Sequence, residues 1–314
     1  MKVIVSAPGK VHLLGEHSVV YGKPALLTAI NLRLYASIQP SDTLVLPTMG
    51  KKLIEHCIEI FKKTYHLEAL TPFKLEITTT ISAGSGLGSS AAVAVATLGA
   101  LHVFFKKGWN ADLINKLAYE VEKKQHGNPS GGDNTVITFG GFLWYRKEFE
   151  FLKSVWQLPF RPHKAIKSFF LINSGKPIES TGEMVQMVND KLRIANYELR
   201  IKEIFNQQEE LTKRLAMALK EGDEERLMEA MRLGEMNLEE LGVVGENAKD
   251  IIREVEKSGG AAKISGAGGI KKGSGMILCY HPHPEQLRSL ADVHKWELLP
   301  IQICEEGIRK EIAR

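Results

Sequence analysis

The segment Ser85-Gly86-Leu87-Gly88-Ser89-Ser90-Ala91-Ala92 constrains this chain most, because it joins a strand-like run, residues 74–81, to an alanine-rich stretch that reaches about residue 106. Glycines let the backbone turn tightly and approach a ligand closely. A helix that starts straight after them offers unpaired N–H groups and a partial positive charge. Strand, glycine turn and helix N-terminus make an anion site suited to phosphates, with serine hydroxyls available to a magnesium ion. No Gly-Lys-Ser/Thr follows, so this is not a Walker loop, and the third glycine of a dinucleotide fingerprint is missing. The same residues would also serve as a plain connector ahead of a buried helix.

Two more segments concentrate reactive side chains. Ala7-Pro8-Gly9-Lys10-Val11-His12-Leu13-Leu14-Gly15-Glu16-His17 is dense in polar groups for an N-terminal β-segment. A lysine there can neutralise developing phosphate charge or lower the pKa of a neighbouring acid, and a Glu-His pair can bind hydroxyls. From Glu122 to Asp133 the chain runs from a helix end into a glycine- and proline-rich loop with a carboxylate at its far side. One carboxylate so placed can accept a hydroxyl proton and another can hold magnesium, although a plain turn capped by Asn and Asp has the same composition.

Around these segments the pattern is mixed. Residues 2–6 and 74–81 read as strands, and residues 53–65 and 88–106 as helices. Asn110 caps another helix to about residue 124. Residues 135–145 look like strands broken by Gly140-Gly141. Two prolines and several cations over 159–167 mark a boundary. Beyond it, 169–173 reads as a strand. Met184, Val188, Leu192, Ala195 and Leu199 recur at helical spacing, which predicts long helices over 181–221, followed by helices over 224–241 and 246–257. Strand, glycine loop and strand then follow to residue 280. The class is α+β, with two domains, 1–160 and 161–314, and a site between them.

Of 314 residues, 44% are hydrophobic, enough for a sizeable core, and the net charge of +4 is spread along the chain without the basic face of a nucleic-acid binder. Cys57, Cys279 and Cys304 have no metal-like spacing and read as free thiols of a reducing compartment. The longest near-apolar run, 91–105, is shorter than the roughly 20 residues of a membrane span, and no secretory h-region is present. A soluble cytoplasmic protein is expected, without nucleic-acid or membrane partners.

Together the three segments resemble the GHMP kinases, over most of the chain. Gly15-Glu16-His17-Ser18-Val19-Val20-Tyr21-Gly22-Lys23-Pro24-Ala25-Leu26 is similar to the superfamily's opening motif in its mevalonate kinase form. The glycine–serine segment resembles the ATP loop, and His126-Gly127-Asn128-Pro129-Ser130-Gly131-Gly132-Asp133-Asn134 resembles the catalytic loop. Ser180-Thr181-Gly182-Glu183, Leu241-Gly242-Val243 and Lys263-Ile264-Ser265-Gly266-Ala267-Gly268-Gly269 resemble later motifs. The resemblance implies an N-terminal domain like domain 2 of ribosomal protein S5 and a ferredoxin-like C-terminal domain. It implies ATP- and Mg2+-dependent phosphorylation of the mevalonate 5-hydroxyl, in isoprenoid biosynthesis. Asp133 would be the catalytic base, with Lys10 beside it lowering its pKa. Gly86, Leu87, Gly88, Ser89, Ser90 and Ala91 would hold ATP, and Ser90 and Glu122 magnesium. Glu16, His17, Thr181 and the loop of Gly266, Ala267 and Gly268 would meet mevalonate. Dimers are common among such kinases.

The chain departs from that pattern in places. Ile81-Ser82-Ala83 lacks a usual proline, and the helix before Leu241 lacks a polar stretch. Gly132 replaces a branched residue, which is expected to loosen Asp133. Gly268–Gly275 carries Lys271 and Lys272, either as an exposed insertion or as cations for ATP or a phosphorylated acceptor. The rival readings are a kinase of phosphomevalonate or another small alcohol, and a non-catalytic ATP or metabolite sensor. A sensor should have lost Lys10, Ser90, Glu122 or Asp133, and all four are present.

Overall fold

The computed structural model describes residues 2–126, 130–149 and 151–311. Gly127, Asn128 and Pro129 of the motif quoted above, and the side chain of His126, lie outside the described residues.

Two antiparallel sheets organise the chain. The first has the order β10-β1-β2-β4-β5, with β3 also paired to β2. Its long strands are β1 (Val3–Leu14) and β2 (Pro24–Pro40). With them lie β3 (Phe73–Thr79), β4 (Phe142–Lys147), β5 (Lys153–Gln157) and the late β10 (Arg309–Glu311). Helix α2 (Ser89–Phe104) packs on β1 and β2, with α1 (Lys51–Thr64) and α3 (Ala111–His126) outside it. Residues 91–102 of α2 are buried all round. This explains an apolar run without a polar face.

The second sheet has the order β7-β8-β6-β9 and is antiparallel throughout. Its strands are β6 (Phe169–Asn173), β7 (Ala261–Ile264), β8 (Met276–Tyr280) and β9 (Leu298–Ile301). Helices α5 (Thr181–Leu192), α6 (Ala195–Glu221), α7 (Glu224–Leu241) and α8 (Glu246–Lys257) come between β6 and β7, and α9 (Pro284–His294) lies between β8 and β9. This is the ferredoxin-like strand order. Both faces of this sheet are buried, and they serve different cores. Phe169 and Leu171 join the core of the first sheet, whereas Phe170 and Ile172 pack under the helices with Met184, Leu238 and Ile252. Period-two alternation in an all-apolar strand therefore welds the two halves together.

The helices over 224–241 and 246–257 and the strand over 169–173 fall where the sequence places them. Residues 135–139 do not. They form α4 (Gly132–Phe139), a helix rather than a strand. Thr135, Val136, Ile137 and Thr138 favour strands by propensity, but Thr135 Oγ1 donates to Gly131 O and Thr138 Oγ1 to Asn134 O, at 2.6 and 2.7 Å. Packing of the buried helix against α2, α3 and β1 outweighs propensity. The tail is a second departure from the sequence reading, because residues 302–311 cross back to the first sheet.

Arg33 of β2 fastens that tail. It is 5% exposed and donates to Ser6 Oγ and Ser6 O, and to the Glu306 and Gly307 carbonyls at 3.0 and 2.7 Å. A lysine cannot reproduce this fork. Arg33→Lys should lower unfolding free energy by about 1–3 kcal/mol, the scale for stranded buried acceptors, with the loss read from a denaturant midpoint.

Candidate active site

The glycine–serine segment lies between the two sheets. Lys10 N donates to Leu87 O at 3.0 Å on one side, and Met276 N to Ser85 O at 3.3 Å on the other. Gly88 is the N-cap of α2, with a left-handed φ of 75° and no capping side chain. A Cβ there would stand 2.9 Å from Lys10 Cγ and 2.8 Å from Ile137 Cδ1, so glycine is what lets the lysine stem pass. The helix starts at Ser89, which is half-buried. Ser90 is exposed, and Leu87 and Ala91 are buried. Uncapped first-turn amides beside an exposed Ser90 are the arrangement that an anion site requires.

Lys10 reaches from β1 to Asp133 in the first turn of α4, with Nζ to Oδ2 at 3.1 Å. His12, two residues on and on the same strand face, places Nε2 3.5 Å from Oδ1. Burial works to raise the Asp133 pKa, but the Lys10 charge and the hydrogen bonds from His12 and Lys10 outweigh it and hold the carboxyl well below the usual range. Burial, aided by Lys10, lowers the His12 pKa, against the neighbouring Asp133 and Glu16 carboxylates. Glu122, 7% exposed near the end of α3, shows the reverse: burial and then the Asp133 charge push it up to about 8, against Lys10 and Lys153. The sequence reading missed His12, although its i, i+2 spacing from Lys10 was a usable signal.

The Gly15–Ser18 turn meets the last glycine loop. His17 has φ 57° and ψ −53°, and Ser18 N donates to Glu16 O at 2.6 Å, so His17 is the centre of a strained γ-turn. Its Nε2 lies 2.9 Å from Ala267 O. Glu16, expected to meet the acceptor, is 2% exposed and paired with Lys263, which has no exposed surface. A buried ammonium requires a counter-charge, and Glu16 supplies it. Glu235 of α7 lies beside them. Its Oε2 accepts from Ile264 N at 2.9 Å, and burial pushes its pKa up to about 8 despite Lys263. Neither Lys263 nor Glu235 was given a role from sequence.

A cleft of about 310 Å³ opens between the two glycine loops and the start of α5, lined by Gly84, Gly86, Thr181, Ala267 and Gly268 among others. Thr181 begins α5 behind a Ser180–Glu183 capping box. The Leu241-Gly242-Val243 motif lies under the glycine loop, with Gly269 N donating to Val243 O at 3.0 Å. Lys10, Asp133, Glu16 and His17 are not on the cleft wall, nor are Lys271 and Lys272, which are exposed; Lys176 is on it, with its stem against Gly84.

Over 85% of its length the chain is 36% identical to the mevalonate kinase of Archaeoglobus fulgidus, of which it covers 89%. It belongs to the GHMP kinases. The family models for the GHMP kinases N terminal domain and the GHMP kinases C terminal match residues 52–141 and 215–270, and the galactokinase galactose-binding signature matches residues 1–40. The mevalonate kinase of Pyrococcus abyssi is 31% identical over 99% of this chain and 98% of its own. A crystal structure of mevalonate kinase superposes with a TM-score of 0.82 at 26% identity, covering 96% of this chain and 99% of that one. A Streptococcus pneumoniae phosphomevalonate kinase, at 22% identity and TM-score 0.77 over 96% of this chain and 99% of that one, shares the fold.

Two consequences for this kinase can be measured. A Cβ on Gly132 would make only ordinary contacts, at 3.5 Å or more, and its φ is not left-handed. Asp133 is held by Lys10 and His12, so the expected loosening has no structural source. Gly132→Ala should keep turnover and raise stability by about 0.4–1 kcal/mol through the unfolded chain, as read by chemical denaturation. The folded protein binds the Glu235 proton more tightly than the unfolded chain does. That contribution is full below the ordinary glutamate pKa and fades as pH rises towards about 8. Glu235→Gln should therefore gain in melting temperature on the wild type as the pH is raised through this window.

Proposed function

We propose that this chain is a mevalonate kinase, transferring the γ-phosphoryl group of ATP to the 5-hydroxyl of mevalonate in isoprenoid biosynthesis. The observation that carries the chemistry is the Lys10–Asp133 pair, 3.1 Å apart beside the uncapped N-terminus of α2. The relatives that match this chain along nearly all its length carry the acceptor.

In this reading the amides at Gly86–Ala91 hold the ATP phosphates, and Lys10 offsets charge on the group in transfer. Asp133 accepts the hydroxyl proton. Its depressed pKa makes it a weak base towards an unactivated alcohol, so the proton moves late, once the forming bond to phosphorus has made the hydroxyl acidic. A loose phosphoryl-transfer transition state suits that order. His17, Thr181 and the Gly266–Gly268 loop face the acceptor.

Magnesium fits the donors present. Ser90 and Glu122 offer hard oxygen ligands, and a carboxylate raised to about 8 beside a second one is starved of positive charge. Among the described residues no group of three or more His, Cys, Asp or Glu could hold a metal, so ATP oxygens would complete the shell. A magnesium ion held there would offset negative charge on the ATP phosphates.

The same reading divides the chain at about residue 160 into ATP-binding and C-terminal halves. No helix among the described residues is long and apolar enough to cross a membrane. Three free, buried cysteines fit a reducing cytoplasm. A homodimer is the assembly the family suggests.

A coupled ADP-release assay with mevalonate, phosphomevalonate, galactose and homoserine tests the proposal. Turnover confined to mevalonate is expected, and turnover on phosphomevalonate alone, or on none, would refute it. Asp133→Asn should cut turnover by about two to four powers of ten with ATP binding retained. Lys10→Met should likewise reduce kcat more than nucleotide affinity, and a pure affinity loss would remove its catalytic role.

A further inference from the structure

Lys263, Glu16 and Glu235 have no part in the transfer described above, yet they are the most deeply buried charged groups among the described residues, at 0, 2 and 0% exposure. They join three distant elements. Lys263 at β7 bonds Glu16 Oε1 in the turn after β1 and donates to Ile264 O at 2.6 Å. Ile264 N in turn donates to Glu235 Oε2 on α7. One oxygen of each carboxylate, Glu16 Oε2 and Glu235 Oε1, is buried without a partner.

The neighbours of this cluster are the two segments that face the acceptor in the proposed function. Glu16 adjoins His17, the strained centre of the γ-turn. Lys263 is two residues from Ser265, whose Oγ accepts from His12 N at 3.0 Å, and four from Ala267, which His17 Nε2 contacts at 2.9 Å. Three ties therefore run between the same two stretches of chain, residues 12–17 and 263–267, which are about 250 positions apart in sequence. The Lys263 tie is the only ionic one of the three and the deepest.

We propose that Lys263 is a positioning residue for the acceptor: by clamping Glu16 it locks the His17 turn onto the Gly266–Gly268 loop, and Glu16 acts on acceptor binding through Lys263 rather than by touching the acceptor. The proposal rests on the kinase reading above for its kinetic arm only. Glu235 holds the strand end behind the clamp through Ile264 N.

The test is a double-substitution cycle read on both Michaelis constants and kcat for the wild type, Glu16→Gln, Lys263→Met and the pair. Each single change should raise the acceptor KM by about tenfold to a hundredfold, the scale of a misplaced binding group, with the ATP KM unchanged. The pair should be no worse than the poorer single variant. Multiplicative effects would mean that Glu16 meets the acceptor on its own account. An unchanged acceptor KM with only a lower melting temperature would reduce the cluster to a structural pin. Either result overturns the proposal. A second measurement needs neither an acceptor nor Lys263→Met. In ligand-free Glu16→Gln, amide hydrogen exchange across residues 265–269 should speed up although nothing in that loop was altered, and exchange at the wild-type rate would overturn the clamp. Failure of the wild type to phosphorylate mevalonate would sink the kinase reading while leaving this exchange test standing.

Discussion

Lys10 is 3% exposed, and an ammonium so placed must be answered by an anion or by several acceptors. That demand recurs through the first sheet and its seam with the second. Lys10 draws Asp133 in from α4, Arg33 draws in the carbonyls of the tail, and Lys263 draws in the Glu16 turn. Each buried cation joins segments far apart in the chain. Hydrophobic packing decides that two sheets and their helices stack, but it tolerates small slips. The buried charges do not, because a slip strands a charge in a medium that cannot solvate it.

The same logic separates two acids that sequence alone leaves equivalent. Asp133 and Glu122 are both carboxylates on helices within the field of Lys10. Asp133 receives Lys10 and His12 and stays ionised, whereas Glu122 is buried with the Asp133 charge for company and holds its proton up to about 8. Neighbouring titratable groups whose environments push them apart mark a division of labour. In the proposed reading, Asp133 accepts the proton of an alcohol made acidic by transfer, and Glu122 would ionise on meeting a cation.

Much of this was legible in the residues, and what was not shares a physical cause. Glycines and serines before an alanine-rich run specify a loop and a buried helix by local rules, and α2 begins at Ser89 accordingly. The helices α7 and α8 carry their own periodicity, and α7 also its Asp223 and Gly242 caps. The helix α4 was misread because its β-branched residues speak for a strand until side-chain bonds to the preceding turn and packing on three neighbours are counted. The length of β2 and the return of β10 to β1 come from pairings between remote segments. The site divides the same way. Lys10, Glu122 and Asp133 stand in segments whose chemistry is legible locally, whereas Lys263 opens the last motif with nothing local to pair it with Glu16, 247 residues away.

That partner raises the question of why a charge pair occupies a place where apolar side chains would fit. Replacing a buried ion pair by well-packed hydrophobic groups is often neutral or stabilising, so its retention is weak evidence for a stabilising role. An apolar contact, however, is non-directional, and here direction matters. His17 is held in a backbone conformation that costs energy, and a turn under strain relaxes unless its neighbours forbid every alternative. A carboxylate on the preceding residue, fixed to an ammonium that is itself bonded to the Ile264 carbonyl, permits one orientation of the turn. The glycine loop on the far side meets the turn through Ala267 O, 2.9 Å from His17 Nε2. Placing the ionic tie at the turn puts the rigidity where the strain is.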